Sequence, residues 1–251
     1  MTKWVLLRGL MREARHWGEF PEYFKQGVGA QHLVTLDFPG NGSLFAQRSF
    51  TTVADMANYC HTQLRQLGYA PPYCVLALSL GAMVAVEWSE RFPADIERMV
   101  LINTSLAPLN PFYHRLRPAN YGALLRSVFY GSLAQREELV LRLTSNQTRT
   151  QLQHAELLRQ WTHCASQHPV SRANILRQLV AALTYRAVLS TPAVPVLLLA
   201  GEHDQLVDVK CSLALAKHWG CDIHLHPAAG HDLPLDDDAW VVQHVEAWHA
   251  V

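Results

Sequence analysis

No stretch of this chain is apolar for long enough to span a bilayer, and no block of like charge runs through it: 21 basic residues balance 21 acidic ones, for a formal net charge of zero. The first absence argues against membrane insertion. The second removes the broad field by which proteins gather nucleic acid or anionic membrane, so the expected partner is a small molecule that is not a polyanion. Cysteine is scarce, and the five residues Cys60, Cys74, Cys164, Cys211 and Cys221 are widely spaced with no C-x-x-C pair. They read as reduced thiols rather than a disulfide framework. There is no H-E-x-x-H, no G-x-G-x-x-G behind a strand and no P-loop, so no metal and no nucleotide cofactor is expected. Of the 14 histidines, His224 with His226, and His163 beside Cys164, are the nearest to ligand pairs, but neither finds a third ligand at recognisable spacing. An apolar run begins at Trp4, which leaves no room for a signal peptide and sets the expectation of a cytoplasmic protein. Nothing in the sequence sets the oligomeric state.

What is present is the composition of a soluble globular domain, 49% hydrophobic and 17% charged over 251 residues. Short, continuous apolar runs at 4–7, 33–36, 75–78, 99–102 and 194–200 suit central strands of a parallel sheet covered on both faces. Helical patterns at 17–26, 52–67, 80–92, 212–219 and 239–248 alternate with them as βαβ units. The alternation breaks after Asn103. Residues 107–190 are rich in Arg and Gln, with helical stretches and no good strand, which predicts a helical insertion in a core made of 1–106 and 191–251.

The run Tyr73-Cys74-Val75-Leu76-Ala77-Leu78-Ser79-Leu80-Gly81 passes from a strand into a helix at Ser79. A serine on such a turn, a nucleophile elbow, is held in strained geometry with its hydroxyl above the sheet, and small neighbours are needed where strand and helix backbones nearly touch. Ala77 and Gly81 supply them. The helix N-terminus and the Leu80 amide then favour negative charge beside the hydroxyl. A serine hydroxyl needs an imidazole to take its proton and an acid to orient that imidazole. His231, in Ala228-Ala229-Gly230-His231-Asp232 between the last strand-like segment and the last helix, is the candidate base, with Gly230 giving it freedom to reach the site. Asp204, past the strand ending at Ala200 and 27 residues before His231, is the candidate acid. Asn103 and Thr104 cannot hold a negative charge, and Glu202 and Asp208 are local rivals. Asp232 with residues 236–238 is expected to form a solvated acidic rim. For the oxyanion, the amides of Leu80 and Leu10 are the candidates, with Gly9 allowing close approach and Trp17 fixing the loop.

Taken together, these residues resemble the α/β-hydrolase superfamily over essentially the whole chain, with Asp37-Phe38-Pro39-Gly40-Asn41-Gly42 similar to the D-x-P-G-H-G loop of small members. The resemblance implies an α/β-hydrolase fold, a mainly parallel sheet flanked by helices with a helical cap insertion at 107–190. It implies a Ser79, Asp204, His231 triad and no cofactor. Three positions depart from the pattern: Arg8 stands where a histidine often precedes the oxyanion glycine, Ala77 replaces the first elbow glycine, and Asn41 replaces the loop histidine. Arg8 either braces its loop or meets an acidic substrate at the cleft edge. The expected activity is a carboxylesterase-like serine hydrolase acting on a small to medium ester or thioester, with the aromatics Phe112, Tyr113, Tyr121, Phe129, Tyr130 and Trp161 lining an apolar pocket. Two other readings use the same fold: C–C bond cleavage or elimination, as a hydrolase or lyase, by the same triad, and a receptor that binds without turnover.

Overall fold

A computed structural model describes residues 2–249. Along the chain run β1 (Lys3–Leu7), α1 (Phe20–Gly27), β2 (His32–Leu36), α2 (Val53–Gln66), β3 (Tyr73–Leu78), α3 (Leu80–Arg91) and β4 (Ile96–Ile102). Then come five helices without an intervening strand: α4 (Phe112–Arg115), α5 (Tyr121–Tyr130), α6 (Leu133–Thr144), α7 (Gln151–Gln167) and α8 (Arg172–Thr184). The sheet resumes with β5 (Val196–Gly201), α9 (Lys210–Trp219), β6 (Asp222–His226), α10 (Leu233–Asp236) and α11 (Asp238–His249). Helix α1 starts three residues later than its apolar pattern suggests, because Pro21 sits in its first turn, where its missing N–H leaves no helical bond broken.

The strands form one sheet in the order β2-β1-β3-β4-β5-β6, every pair parallel. Alternate residues serve opposite faces, and both faces are covered, which is why the strands read as unbroken apolar runs. Val5, Leu7, Val75 and Met99 pack with Met56 of α2, Trp88 of α3 and Leu215 of α9. Trp4, Leu6, Leu76 and Val100 pack on the other side with Phe24 of α1 and Val241 of α11. A single fully buried side chain of this size stabilises the fold by roughly 1.5–3 kcal/mol relative to exposure, so these two layers dominate its stability.

Chain order reverses between β1 and β3, since β2 lies beyond β1 on one side and β4 beyond β3 on the other. At such a switch point the loops leave in opposite directions and open a crevice at the carboxyl ends of the strands. The loop that carries Gly9 and Leu10 and the turn at Ser79 flank that crevice. The segment between β4 and β5 is closed at its base by a bridge between Ala107 and Arg186, with the Ala187 amide donating to the Ala107 carbonyl at 2.8 Å. Among the described residues no helix is long and apolar enough to cross a membrane.

Candidate active site

Ser79 joins β3 to α3 with φ 58° and ψ −114°, a conformation that costs a non-glycine residue of order 1–3 kcal/mol and persists only where surrounding contacts impose it. Those contacts are visible. The Ser79 amide donates to the Ile102 carbonyl at 2.9 Å, and its carbonyl accepts from Ala82 at 3.0 Å in the first turn of α3. A Cβ at Gly81 would lie 2.5 Å from the Leu7 carbonyl oxygen and 2.7 Å from that of Arg8, so glycine is required by the closeness of α3 to the end of β1. Ala77 is fully buried opposite Leu7 and Leu101, with room for its methyl group within the sheet. A Cβ at Gly9 would sit 3.3 Å from the Ser79 Cβ, a tight contact that a small shift can relieve.

Asp204 and His231 meet as a buried pair, Nδ1 to Oδ2 at 2.7 Å, with the two side chains 1% and 6% exposed. The other carboxylate oxygen of Asp204 accepts from the amides of Leu206 at 2.7 Å and Val207 at 3.0 Å. A carboxylate only accepts, so the shared proton is on Nδ1 and the neutral ring presents an unprotonated Nε2. Burial opposes a charge on His231, but the charge and hydrogen bond of Asp204, with the charge of Asp232, outweigh it and hold the imidazole above its ordinary value of 6.5. Asn103, at φ 48°, fixes the backbone that carries the histidine: its Nδ2 donates to the carbonyls of Gly230 at 3.0 Å and His231 at 2.8 Å, while its Oδ1 accepts from Gly201 at 3.0 Å. Gly230 gives room rather than freedom. A Cβ there would lie 2.8 Å from the Thr144 carbonyl, and its φ is unexceptional.

Ser79 and His231 line one cavity of about 210 Å³, together with Leu10 and Leu80. Among the described residues no hydrogen bond joins the Ser79 hydroxyl to His231, and neither the Leu10 nor the Leu80 amide has an acceptor. Leu10 is held from the side. Met11, at φ 62°, donates its amide to Gln178 Oε1 at 2.9 Å, and Gln178 Nε2 donates to Asn41 Oδ1 at 2.8 Å and Ser49 Oγ at 3.1 Å. Asn41 Nδ2 in turn donates to the Arg12 carbonyl at 3.1 Å. The asparagine at the place of a histidine thus ties the loop after β2 to the loop after β1.

Three expectations about the cavity are corrected. Trp161 does not line it: the buried ring packs under the Arg12 guanidinium at 4.3 Å and against His16. Nor do Phe112, Tyr113, Tyr121, Phe129 or Tyr130, which are exposed; the walls are aliphatic, with Met83, Leu124, Val128, Val140, Ile175 and Leu179. Asp232 is no part of a solvated rim, being 3% exposed and gripped by Arg8 at both carboxylate oxygens, at 2.6 and 3.1 Å. Asp236 is engaged too, accepting from the amides of Gly230 at 2.7 Å and Asn146 at 3.0 Å. Arg8 lies over the Trp17 ring at 4.4 Å and touches the cavity, so it ties the loop after β1 to the loop that carries His231. Sequence reasoning missed Asp232, Gln178 and Glu137, which pairs with Arg12, because no spacing signals a contact across more than a hundred residues.

Across residues 4–244 the sequence matches the family model described as the alpha/beta hydrolase family. The chain belongs to that family. No curated protein matches this hydrolase-family chain at a significant level. Solved structures share its fold at low identity. An esterase from Thermogutta terrifontis is 16% identical with a TM-score of 0.76, covering 100% of this chain and 90% of its own. An esterase from Exiguobacterium antarcticum is 14% identical with a TM-score of 0.77, the shares being 100% and 92%. A bacterial membrane phospholipase A is 19% identical with a TM-score of 0.80, the shares being 99% and 78%. Identities this low carry the fold of the family member described here and not its substrate.

Proposed function

We propose that the protein is a cofactor-independent serine hydrolase that cleaves a carboxylic ester or thioester through an acyl-enzyme. The observation that carries this reading is the buried Asp204–His231 pair opening onto the same cavity as a strained serine and two unengaged amides. In this mechanism Ser79 Oγ attacks the carbonyl carbon as its proton passes to His231 Nε2. Asp204 keeps the ring oriented and stabilises its charge. The carbonyl oxygen, now negative, accepts from the amide of Leu10 in the loop after β1 and from that of Leu80 at the N-terminus of α3, where the helix dipole adds to the stabilisation. Collapse expels the alcohol or thiol, which takes the proton from His231. Water then repeats the sequence, releasing the acid and restoring Ser79. In this reading a rotamer change of the partly exposed Ser79 side chain, a motion of the picosecond to nanosecond scale, brings its hydroxyl to His231.

Residues 1–106 and 191–251 act as the hydrolase core in this reading, and 107–190 as the cap that closes the cavity and selects the substrate. The C–C hydrolase and receptor readings have no observation of their own to set against it. Turnover of p-nitrophenyl butyrate, with a covalent fluorophosphonate adduct at residue 79, is the test. Ser79→Ala is expected to lose at least about 10³-fold in kcat and all labelling. Undiminished hydrolysis by that variant would overturn the proposal.

A further inference from the structure

Two guanidinium groups on the insertion side of the cavity have no counter-ion among the described residues. Arg115, at the end of α4, donates from one Nη to the Ala182 carbonyl at 2.7 Å, and its Nε is buried without a partner. Arg136, in the first turn of α6, donates from Nε to the Gly131 carbonyl at 3.1 Å. Among the described residues neither forms an ion pair. The other two arginines on the cavity wall differ, Arg8 being paired with Asp232 and Arg12 with Glu137. Among the described residues the cavity therefore carries two positive charges without an ion-pair partner on aliphatic walls, in a chain whose formal charges sum to zero. Charge held in such surroundings is costly until an opposite charge arrives. Burial, with the like charge of Arg186, pulls Arg115 below the ordinary arginine value.

We propose that Arg115 and Arg136 form an anion-recognition site, and that the substrate is an ester or thioester whose aliphatic arm carries a carboxylate or phosphate. The proposal rests on the hydrolase reading above and extends it to the substrate class. The reacting carbonyl lies on the sheet side at Ser79, the arm runs along Leu116, Leu124, Val128 and Leu179, and the anion lies on the insertion side. A planar guanidinium with free N–H groups suits either oxyanion, and one anion on a small molecule fits a protein with no broad basic field.

The test is calorimetric titration of the Ser79→Ala protein with hexanoate, hexyl phosphate and hexan-1-ol, alone and combined with Arg115→Gln or Arg136→Gln. At least one anion should bind about 10-fold or more tighter than the alcohol, and each arginine substitution should weaken it about 10-fold while leaving the alcohol unchanged. The tighter of the two anions identifies carboxylate or phosphate as the recognised group. Equal affinity for both anions and the alcohol would overturn the proposal, as would anion affinity retained in folded Arg136→Gln. Arg136 is partly exposed, so its variant decides the matter even if Arg115→Gln does not fold. Binding is read without the Ser79 hydroxyl, so failure of the anion site leaves the ester-hydrolysis result standing, and failure of hydrolysis leaves the binding result standing.

Discussion

Replacing Arg8 by methionine tests how the loop after β1 and the loop bearing His231 are held together. The ion pair with Asp232 is two-pronged and nearly dry, with the side chains 3% and 4% exposed, and the guanidinium also covers Trp17. Methionine keeps most of the volume but leaves a buried carboxylate without its partner, which costs about 3–5 kcal/mol. Loss of the contact with the indole adds about 0.5–2 kcal/mol, part of which the thioether recovers. For a chain of this length the loss of the ion pair alone is a fall in Tm of about 6–20 °C, readable by thermal or urea unfolding. The double variant Arg8→Met/Asp232→Leu should regain most of the loss, because both charges are then gone and the site is filled. A second readout is the acid limb of the kcat/KM profile, which in the proposed mechanism follows deprotonation of His231. Arg8 lowers the affinity of that imidazole for a proton and Asp232 raises it, so the limb moves to higher pH in Arg8→Met and to lower pH in Asp232→Leu. A loss of stability below about 1 kcal/mol, with the only change a higher KM, would refute the bracing account and make Arg8 a substrate contact.

Asp204→Asn should keep the fold and lower kcat by about 10³–10⁴-fold, because an amide can leave the imidazole in the wrong tautomer. Its acid limb should also move down, since the charge and hydrogen bond that hold His231 above 6.5 are removed. The same pair sets a pH dependence of stability. The folded value of His231 is raised, so its contribution is fully present below about pH 6.5 and is lost as pH rises through the folded value; urea midpoints measured from pH 5 to 9 should show this fall in the wild type and not in Asp204→Asn. Gly81→Ala should cost about 1–3 kcal/mol, since its methyl meets two backbone carbonyls that cannot turn aside. Turnover in the proposed reaction should suffer more than stability, as α3 moves away from β1 and carries Ser79 and the Leu80 amide with it. A variant as active as wild type would show that the elbow tolerates a wider gap than the structure implies.

The sheet was legible because burial on both faces leaves a plain mark: runs such as 75–78 and 99–102 have no polar residue to place on a wet side. Ser79 was legible because a strand, a serine and small residues in that order describe a local geometry. The candidate acid and base could be chosen from their places after the strands, and the structure brings them together at 2.7 Å. Asp232 could not be read in this way. Its partner lies 224 positions away, and as a sequence neighbour of other aspartates it looked like a surface residue. The cap aromatics misled for a related reason: amphipathic spacing tells which residues share a helix face, while the packing of five helices decides which face meets the cavity.

Sequence alone determined the parallel α/β sheet, the turn that exposes Ser79 and the residue types able to relay a proton, because each follows from contacts between near neighbours or from the period of a strand or helix. Tertiary structure alone decided that Arg8 is locked to Asp232, that Gln178 holds the loop beside Leu10, and that an aliphatic cavity is left with two arginines that form no ion pair among the described residues. Those are pairings between distant segments, and their charges and hydrogen bonds find partners only after the chain has closed around them.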